Sequence, residues 1–376
     1  MTLSCPNKEL CGSCSWSHIP YEKQLQQKLS DINGSFKLKG LDINCEDIIP
    51  SPRLAHYRNR MDFVIDFEGR VGLRQKGKWW RVIDGHPCFI SDLLIEEKFF
   101  KVREWVKKSR FTFYDRKSHQ GFLRYAVIRT NLAGEVMVII VTSATENLEE
   151  EKLALESFNE LSSTCNITNL LWSVNHTITD VSSGDEIIKI SGDDFLIENI
   201  AGFKYKISPH AFFQTNSYGA KELLKAVGEC VDEGDEGKLV DLYCGCGFFA
   251  VALHSKFEQV TGVESCAASI EDAKFNCDLN GVKINFFAEK SEDLKWEHIE
   301  ADVVVVDPPR SGMHDRALEK LLSLAAKKII YVSCNHKNFA REAVQLLKRY
   351  SLSSIKAIDM FPHTPHVEVV SCLTKI

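Results

Sequence analysis

Two hydrophobic periods divide the chain near residue 200. From about 52 to 200 the apolar positions follow a period of two: Met61-Asp62-Phe63-Val64-Ile65-Asp66-Phe67 alternates, Gly69 punctuates, and Val71-Gly72-Leu73 resumes, which predicts a hairpin. Glu135-Val136-Met137-Val138-Ile139-Ile140-Val141 reads as a buried strand, and helical spacing interrupts at about 91–108 and 147–162. This half predicts an antiparallel sheet with a few helices.

Beyond residue 200, apolar runs alternate with amphipathic segments in βα order. Leu239–Leu242, Gln259–Glu264, Lys283–Phe287, Asp302–Asp307 and Lys328–Val332 predict strands of a doubly wound α/β domain. The expected organisation is an N-terminal cysteine-bearing segment with a helix at 1–51, a mainly antiparallel α+β domain at 52–200, and a Rossmann-like domain at 201–376.

Chemistry concentrates at the predicted strand ends. Asp241-Leu242-Tyr243-Cys244-Gly245-Cys246-Gly247-Phe248-Phe249 is a G-x-G turn between strand and helix, and Glu264 ends the next strand where an acid can bind ribose hydroxyls. Phe249 stands where a dinucleotide fingerprint has its third glycine, so a shorter nucleoside such as S-adenosylmethionine fits better. Asp307-Pro308-Pro309-Arg310 stops the fourth strand and holds Asp307 at the ligand-binding edge. Cys334 closes Ile329-Ile330-Tyr331-Val332-Ser333-Cys334-Asn335 at a strand-to-helix turn, where unpaired N–H groups favour a thiolate. Glu368 opens the last strand behind the Pro-rich turn Phe361-Pro362-His363-Thr364-Pro365. A thiol, two carboxylates and a nucleoside pocket on one sheet edge point to catalysis.

Thirteen cysteines in 376 residues, with no export signal and no apolar run of membrane-spanning length, predict reduced thiols in a cytosolic protein. Cys5, Cys11 and Cys14, with Cys88 as the fourth, form a four-thiolate set suited to zinc or an iron–sulfur cluster. The net charge of −6 argues against a nucleic-acid partner, but residues 51–130 carry 18 Lys and Arg against 9 Asp and Glu. Aromatics lie among these charges in Lys78-Trp79-Trp80-Arg81 and Arg110-Phe111-Thr112-Phe113-Tyr114, so the region offers phosphate neutralisation with base stacking.

In combination these segments resemble the RNA uracil-5-methyltransferase family. The resemblance rests on Ser333-Cys334-Asn335, Asp307-Pro308-Pro309-Arg310, Phe212-Phe213-Gln214-Thr215-Asn216 and His366-Val367-Glu368-Val369-Val370, and covers essentially the whole chain. It implies a C-terminal Rossmann-like S-adenosylmethionine-dependent methyltransferase domain, an N-terminal iron–sulfur segment and an α+β RNA-binding domain. It implies that Cys334 adds to carbon 6 of a uracil and that Glu368 removes the carbon 5 proton. Gln214, Tyr243, Glu264 and Asp307 then line the S-adenosylmethionine and uracil sites, and Cys5, Cys11, Cys14 and Cys88 hold a [4Fe-4S] cluster. The chain starts at the cysteine segment without the small β-barrel of some relatives. With the Asp359-Met360-Phe361-Pro362-His363-Thr364 stretch, this favours the short ribosomal branch and 23S rRNA as substrate, with the T-loop uridine of tRNA as the alternative. The reading of another class is a non-catalytic iron–sulfur or zinc RNA-binding module. A monomer without an obligate protein partner or a membrane is expected. His336 stands where many relatives have Pro after Ser-Cys-Asn, a change expected to shift the turn that positions Cys334.

Overall fold

Strand and helix order follow the two periods, and a computed structural model describes residues 5–376. The chain divides into two compact units. One comprises residues 1–18, 53–198 and 207–210; the other comprises 19–52, 199–206 and 211–376. The N-terminal stretch 1–51 is therefore divided between them. Its helix Tyr21–Leu38 belongs to the second unit because Ile32 and Phe36 are fully buried in that unit's core.

In the first unit the sheet order is Lys78–Asp84, Val71–Gln75, Arg60–Ile65, Leu123–Thr130, Val136–Ser143, Asn169–Asn175, Glu186–Ser191. The expected hairpin forms, pairing Val64 with Gly72. One expectation is corrected: Val136–Ser143 and Asn169–Asn175 run parallel. Helix Leu148–Cys165 connects them, and a helical crossover returns the chain in the same direction, which a tight turn cannot do.

In the second unit the order is Ile48–Ile49, Tyr350–Ile358, Glu368–Lys375, Lys328–Ser333, Val303–Val306, Lys238–Leu242, Gln259–Glu264, Asn285–Ala288. Only Glu368–Lys375 runs against its neighbours. Val303–Val306 is buried at every position, as a strand covered on both faces requires. Helix Tyr21–Leu38 covers helix His336–Leu346, with Phe36 and Phe339 edge-to-face at 5.8 Å. Lys28 sits on the same helix, fully buried, with Nζ 2.6 Å from Oδ1 of Asp359. Tyr21 Oη donates to the other oxygen of Asp359 at 2.9 Å. The Asp359–Thr364 stretch, singled out in the sequence, thus anchors this helix. Among the described residues no helix is long and apolar enough to cross a membrane.

Candidate active site

Register brings the reactive groups of the second unit to one edge of its sheet. Leu242 pairs with Val306 and Val306 with Tyr331, so Asp307 and Cys334 emerge from adjacent parallel strands at their carboxyl ends. The antiparallel strand enters at that same edge. Its pairing of Val369 with Ser333, continued by one residue, sets Glu368 opposite Cys334.

Burial dominates the electrostatics. The Glu368 side chain is buried, and desolvation together with the neighbouring Asp307 charge pushes its carboxyl up to about 8. Desolvation pushes Asp307 up to about 7. The Cys334 thiol is pushed up to about 11 by desolvation, then by Glu368 and Asp307. This corrects the expectation of a thiolate at the helix start. The backbone hydrogen bond and the Arg310 charge do lower the thiol, but loss of solvent and two carboxylates outweigh them.

The nucleophile turn is held from several sides. Asn335 caps helix His336–Leu346, its side chain accepting from the Lys337 N–H, while its own N–H donates to Ser333 Oγ at 3.1 Å. The side-chain amides of Asn335 and Asn338 both donate to the carbonyl of Arg310, at 3.0 and 2.8 Å. His336 takes the first helical position, where proline is favoured, so the departure from the family leaves the capped turn intact. Its Nδ1 lies 2.7 Å from Ser35 Oγ on helix Tyr21–Leu38.

A cavity of about 530 Å³ opens beside this turn, lined in part by Tyr243, Glu264, Ser291, Gly312, Met313 and Arg341. Tyr243 has φ 62°, an uncommon left-handed conformation for a side chain of its size, at the G-x-G turn. Glu264 accepts from the N–H of Gly245 at 3.2 Å and of Cys266 at 2.8 Å, which fixes its carboxylate at the rim. A Cβ on Gly245, at φ 53°, would meet no protein atom, so the backbone there faces open space in which a ligand fits. These features suit a nucleoside cofactor with ribose hydroxyls. Of the four residues expected to line the cofactor and base sites, Tyr243 and Glu264 border this cavity; Gln214 and Asp307 are not in its lining. Gln214 is half-buried in the segment whose Asn216 caps helix Ser217–Gly228.

Two carboxylates escaped the sequence reading. Asp241 is fully buried, accepts from the Ala250 N–H at 2.9 Å and has no partner for Oδ1 among the described residues, and burial raises its carboxyl well above the usual range. Its signal was its place ahead of the G-x-G. Glu342 is buried beneath the loop that follows Asp307, accepting from the Met313 N–H at 3.0 Å and from Tyr331 Oη. Helical position alone gave no sign of it.

In the first unit, Cys5, Cys11, Cys14 and Cys88 line one small pocket with Leu73 and Ile83. The Cys14 thiol donates to Cys88, which with Arg58 nearby pulls the Cys88 thiol down to about 7. Among the described residues no group of three or more Cys, His, Asp or Glu stands at the spacing of a metal ion's ligands. The positive excess of residues 51–130 is only partly surface. Arg124 and Arg129 are buried and donate to main-chain carbonyls, while Arg74 and Arg116 pair with Asp180.

A Rossmann-like sheet thus carries a nucleoside-sized cavity at its carboxyl edge, with a thiol and two carboxylates at that same edge. Residues 193–376 match the family model of tRNA (uracil-5-)-methyltransferase. The chain is 37% identical over 364 residues to a tRNA (uracil(54)-C(5))-methyltransferase of Pyrococcus horikoshii, covering 96% of this chain and 83% of that protein. It is 36% identical over 384 residues to an uncharacterized RNA methyltransferase of Caldanaerobacter subterraneus subsp. tengcongensis, covering 99% and 84%. The crystal structure of Pyrococcus abyssi tRNA (uracil-54, C5)-methyltransferase in complex with S-adenosyl-L-homocysteine superposes with a TM-score of 0.81 at 33% identity, covering 96% of this chain and 85% of that one. The chain belongs to the tRNA (uracil-5-)-methyltransferase family and is an enzyme.

Proposed function

We propose that this enzyme methylates carbon 5 of uridine 54 in tRNA, using S-adenosylmethionine as methyl donor. The observation that carries the chemistry is the meeting of Cys334, Glu368 and Asp307 at one sheet edge. The names of the Pyrococcus relatives favour tRNA over the 23S rRNA to which the sequence alone leaned.

Carbon 5 of uracil is a weak nucleophile. Cys334 passes its proton to solvent water and the sulfur lone pair bonds to carbon 6, while the electrons of the carbon 5–carbon 6 double bond move into the ring, which becomes an enolate with electron density at carbon 5. When bound, S-adenosylmethionine supplies an electrophilic methyl group for that carbon. Glu368, as carboxylate, then takes the carbon 5 proton; the electrons of that C–H bond re-form the carbon 5–carbon 6 double bond, and the bond to Cys334 breaks. Asp307, with a carboxyl near 7, can hold a proton and donate to the edge of the base. Tyr243 and Glu264 hold the donor's nucleoside from the cavity rim, and Gln214 serves the base site. The target base must leave its stack to present a ring face to Cys334.

The four thiols of the first unit, by the same resemblance, hold a [4Fe-4S] cluster. Four soft thiol donors lining one pocket suit iron–sulfur chemistry. Iron and sulfide analysis of anaerobically purified protein tests this, and a colourless zinc protein overturns it. A non-catalytic RNA-binding module would have no use for the thiol and both carboxylates, all retained.

Mapping 5-methyluridine in tRNA and rRNA from cells with and without the gene tests the substrate. Loss at tRNA position 54 is expected; loss confined to 23S rRNA would replace the tRNA reading. Methyl transfer that survives Cys334→Ala would overturn the covalent mechanism.

A further inference from the structure

The first unit carries an irregularity that the proposed chemistry does not use. Val71–Gln75 and Lys78–Asp84 form a hairpin closed by Lys76-Gly77, with Gln75 paired to Lys78. The next residue, Arg74, pairs with Val82, so Trp79, Trp80 and Arg81 bulge from the ladder with no residue opposite. A bulge re-aims side chains away from strict alternation. Consecutive strand residues would otherwise point to opposite faces, yet Trp79 and Trp80 are 50% and 44% exposed, with rings edge-to-face at 5.9 Å.

Two neighbouring indoles left in water on an edge strand are costly and invite association unless a partner covers them. Charge selects the partner. Lys76, Lys78 and Arg81 are exposed and enter no ion pair among the described residues, and no acidic residue lies between Arg74 and Val82. The arginines around them are spent within the unit, so these three cations are available to an anion.

The bulge is also braced. Arg74 Nη1 donates to the Trp79 carbonyl at 3.0 Å, and the Lys76 N–H donates to the Leu10 carbonyl at 2.7 Å. The Lys76 stem lies where a Cβ on Gly12 would fall, and Leu73 and Ile83, which flank the bulge, line the four-cysteine pocket. The hairpin tip is held in place before any ligand arrives.

We propose that Trp79 and Trp80 form a stacking platform for unpaired bases of the RNA substrate, with Lys76, Lys78 and Arg81 taking the adjoining phosphates. This rests on the RNA-modifying function proposed above and adds where single-stranded nucleotides are gripped. Stacking on two indoles tolerates any base, so the platform contributes grip and strand state rather than sequence.

The test uses the full-length protein with three probes: a single-stranded oligouridylate of about 12 nucleotides, a blunt RNA duplex of equal length and an unmodified tRNA transcript. In Trp79→Ala/Trp80→Ala, affinity for the single strand falls roughly 10- to 100-fold, while the duplex changes little. The KM for tRNA rises by a similar factor while kcat holds, and Trp79→Phe/Trp80→Phe recovers most of the loss. Lys78→Gln/Arg81→Gln lowers the slope of log affinity against log salt by about 0.7 for each phosphate no longer neutralised. Wild-type affinity for the single strand in the alanine variant overturns the platform. Equal loss on duplex and single strand also overturns it, as does a change in self-association with RNA binding intact. The single-strand, duplex and salt-slope measurements are read without methyl transfer, so failure of the proposed reaction and failure of the platform are separate results.

Discussion

Asn335 donates its side-chain amide to the main-chain oxygen of Arg310 at 3.0 Å, which makes the thiol-bearing turn and the loop after Asp307 one mechanical piece. Asn335→Ala also removes the helix cap, worth about 1 kcal/mol. The thiol then loses its fixed aim, and single-turnover methyl transfer is expected to fall on the order of 100-fold. Binding of S-adenosylhomocysteine, measured by calorimetry, changes less than threefold. An equal loss in both would mean the turn supports the cofactor cavity instead.

Glu368→Gln keeps the shape of the side chain but cannot accept the carbon 5 proton. Sulfur–carbon bond formation and methyl transfer still proceed, so a covalent protein–RNA adduct is expected to accumulate and to survive denaturing gels. Its absence across pH 7 to 9 would remove Glu368 from the role of base.

The same residue links stability to pH. Glu368 binds its proton more tightly in the folded chain, with a value of about 8 against the ordinary 4.5. Its stabilising contribution is therefore complete below about pH 4.5 and is lost as pH rises through about 8. Glu368→Gln should raise the thermal midpoint relative to wild type at pH 9 by several degrees and change it little at pH 5. A pH-independent difference between the two proteins would contradict the burial of this carboxyl.

Gly312 combines φ 84° with a backbone so close to Glu342 that an added Cβ would lie 2.2 Å from Oε1. Neither the backbone nor the buried carboxylate can give way easily. Gly312→Ala is expected to weaken S-adenosylhomocysteine binding at least tenfold, because the residue lines the cavity. Calorimetric titration checks this, and unchanged affinity would mean the loop can move aside.

Lys28 and Asp359 form a fully buried ion pair. Removing one partner strands the other charge, so Asp359→Ala should cost about 3–5 kcal/mol, while replacing both residues with apolar ones costs less. Denaturant titrations of the single and double variants decide it.

The strands of the second unit and the residues on its working edge were legible because each apolar run stops at a group that apolar surroundings penalise: Asp307, Cys334, Glu264. Strand positions translate directly into sheet-edge positions. The state of the thiol was not legible, since it follows first from the loss of solvent around Cys334 and then from the charges of Glu368 and Asp307, and the extent of burial cannot be read from strand order. Glu342 was invisible because its partners, Met313 and Tyr331, are distant in sequence. The basic count over 51–130 overstated the surface, because composition cannot distinguish the buried Arg124 and Arg129 from the exposed Arg81. The parallel pair in the first unit was hidden by a helix read correctly without its topological consequence.

Helix Tyr21–Leu38 and its buried Lys28 are made early, yet the counter-charge at Asp359 lies 331 residues further along the chain. At typical elongation rates that separation amounts to roughly 15 to 65 seconds of synthesis. During that interval the helix has an apolar face and a lysine without its counter-charge, and helix His336–Leu346, on which it packs, is itself made only shortly before Asp359. It leaves the ribosome long before Asp359 does, so the charge of Lys28 waits for its partner until the second unit is almost fully made.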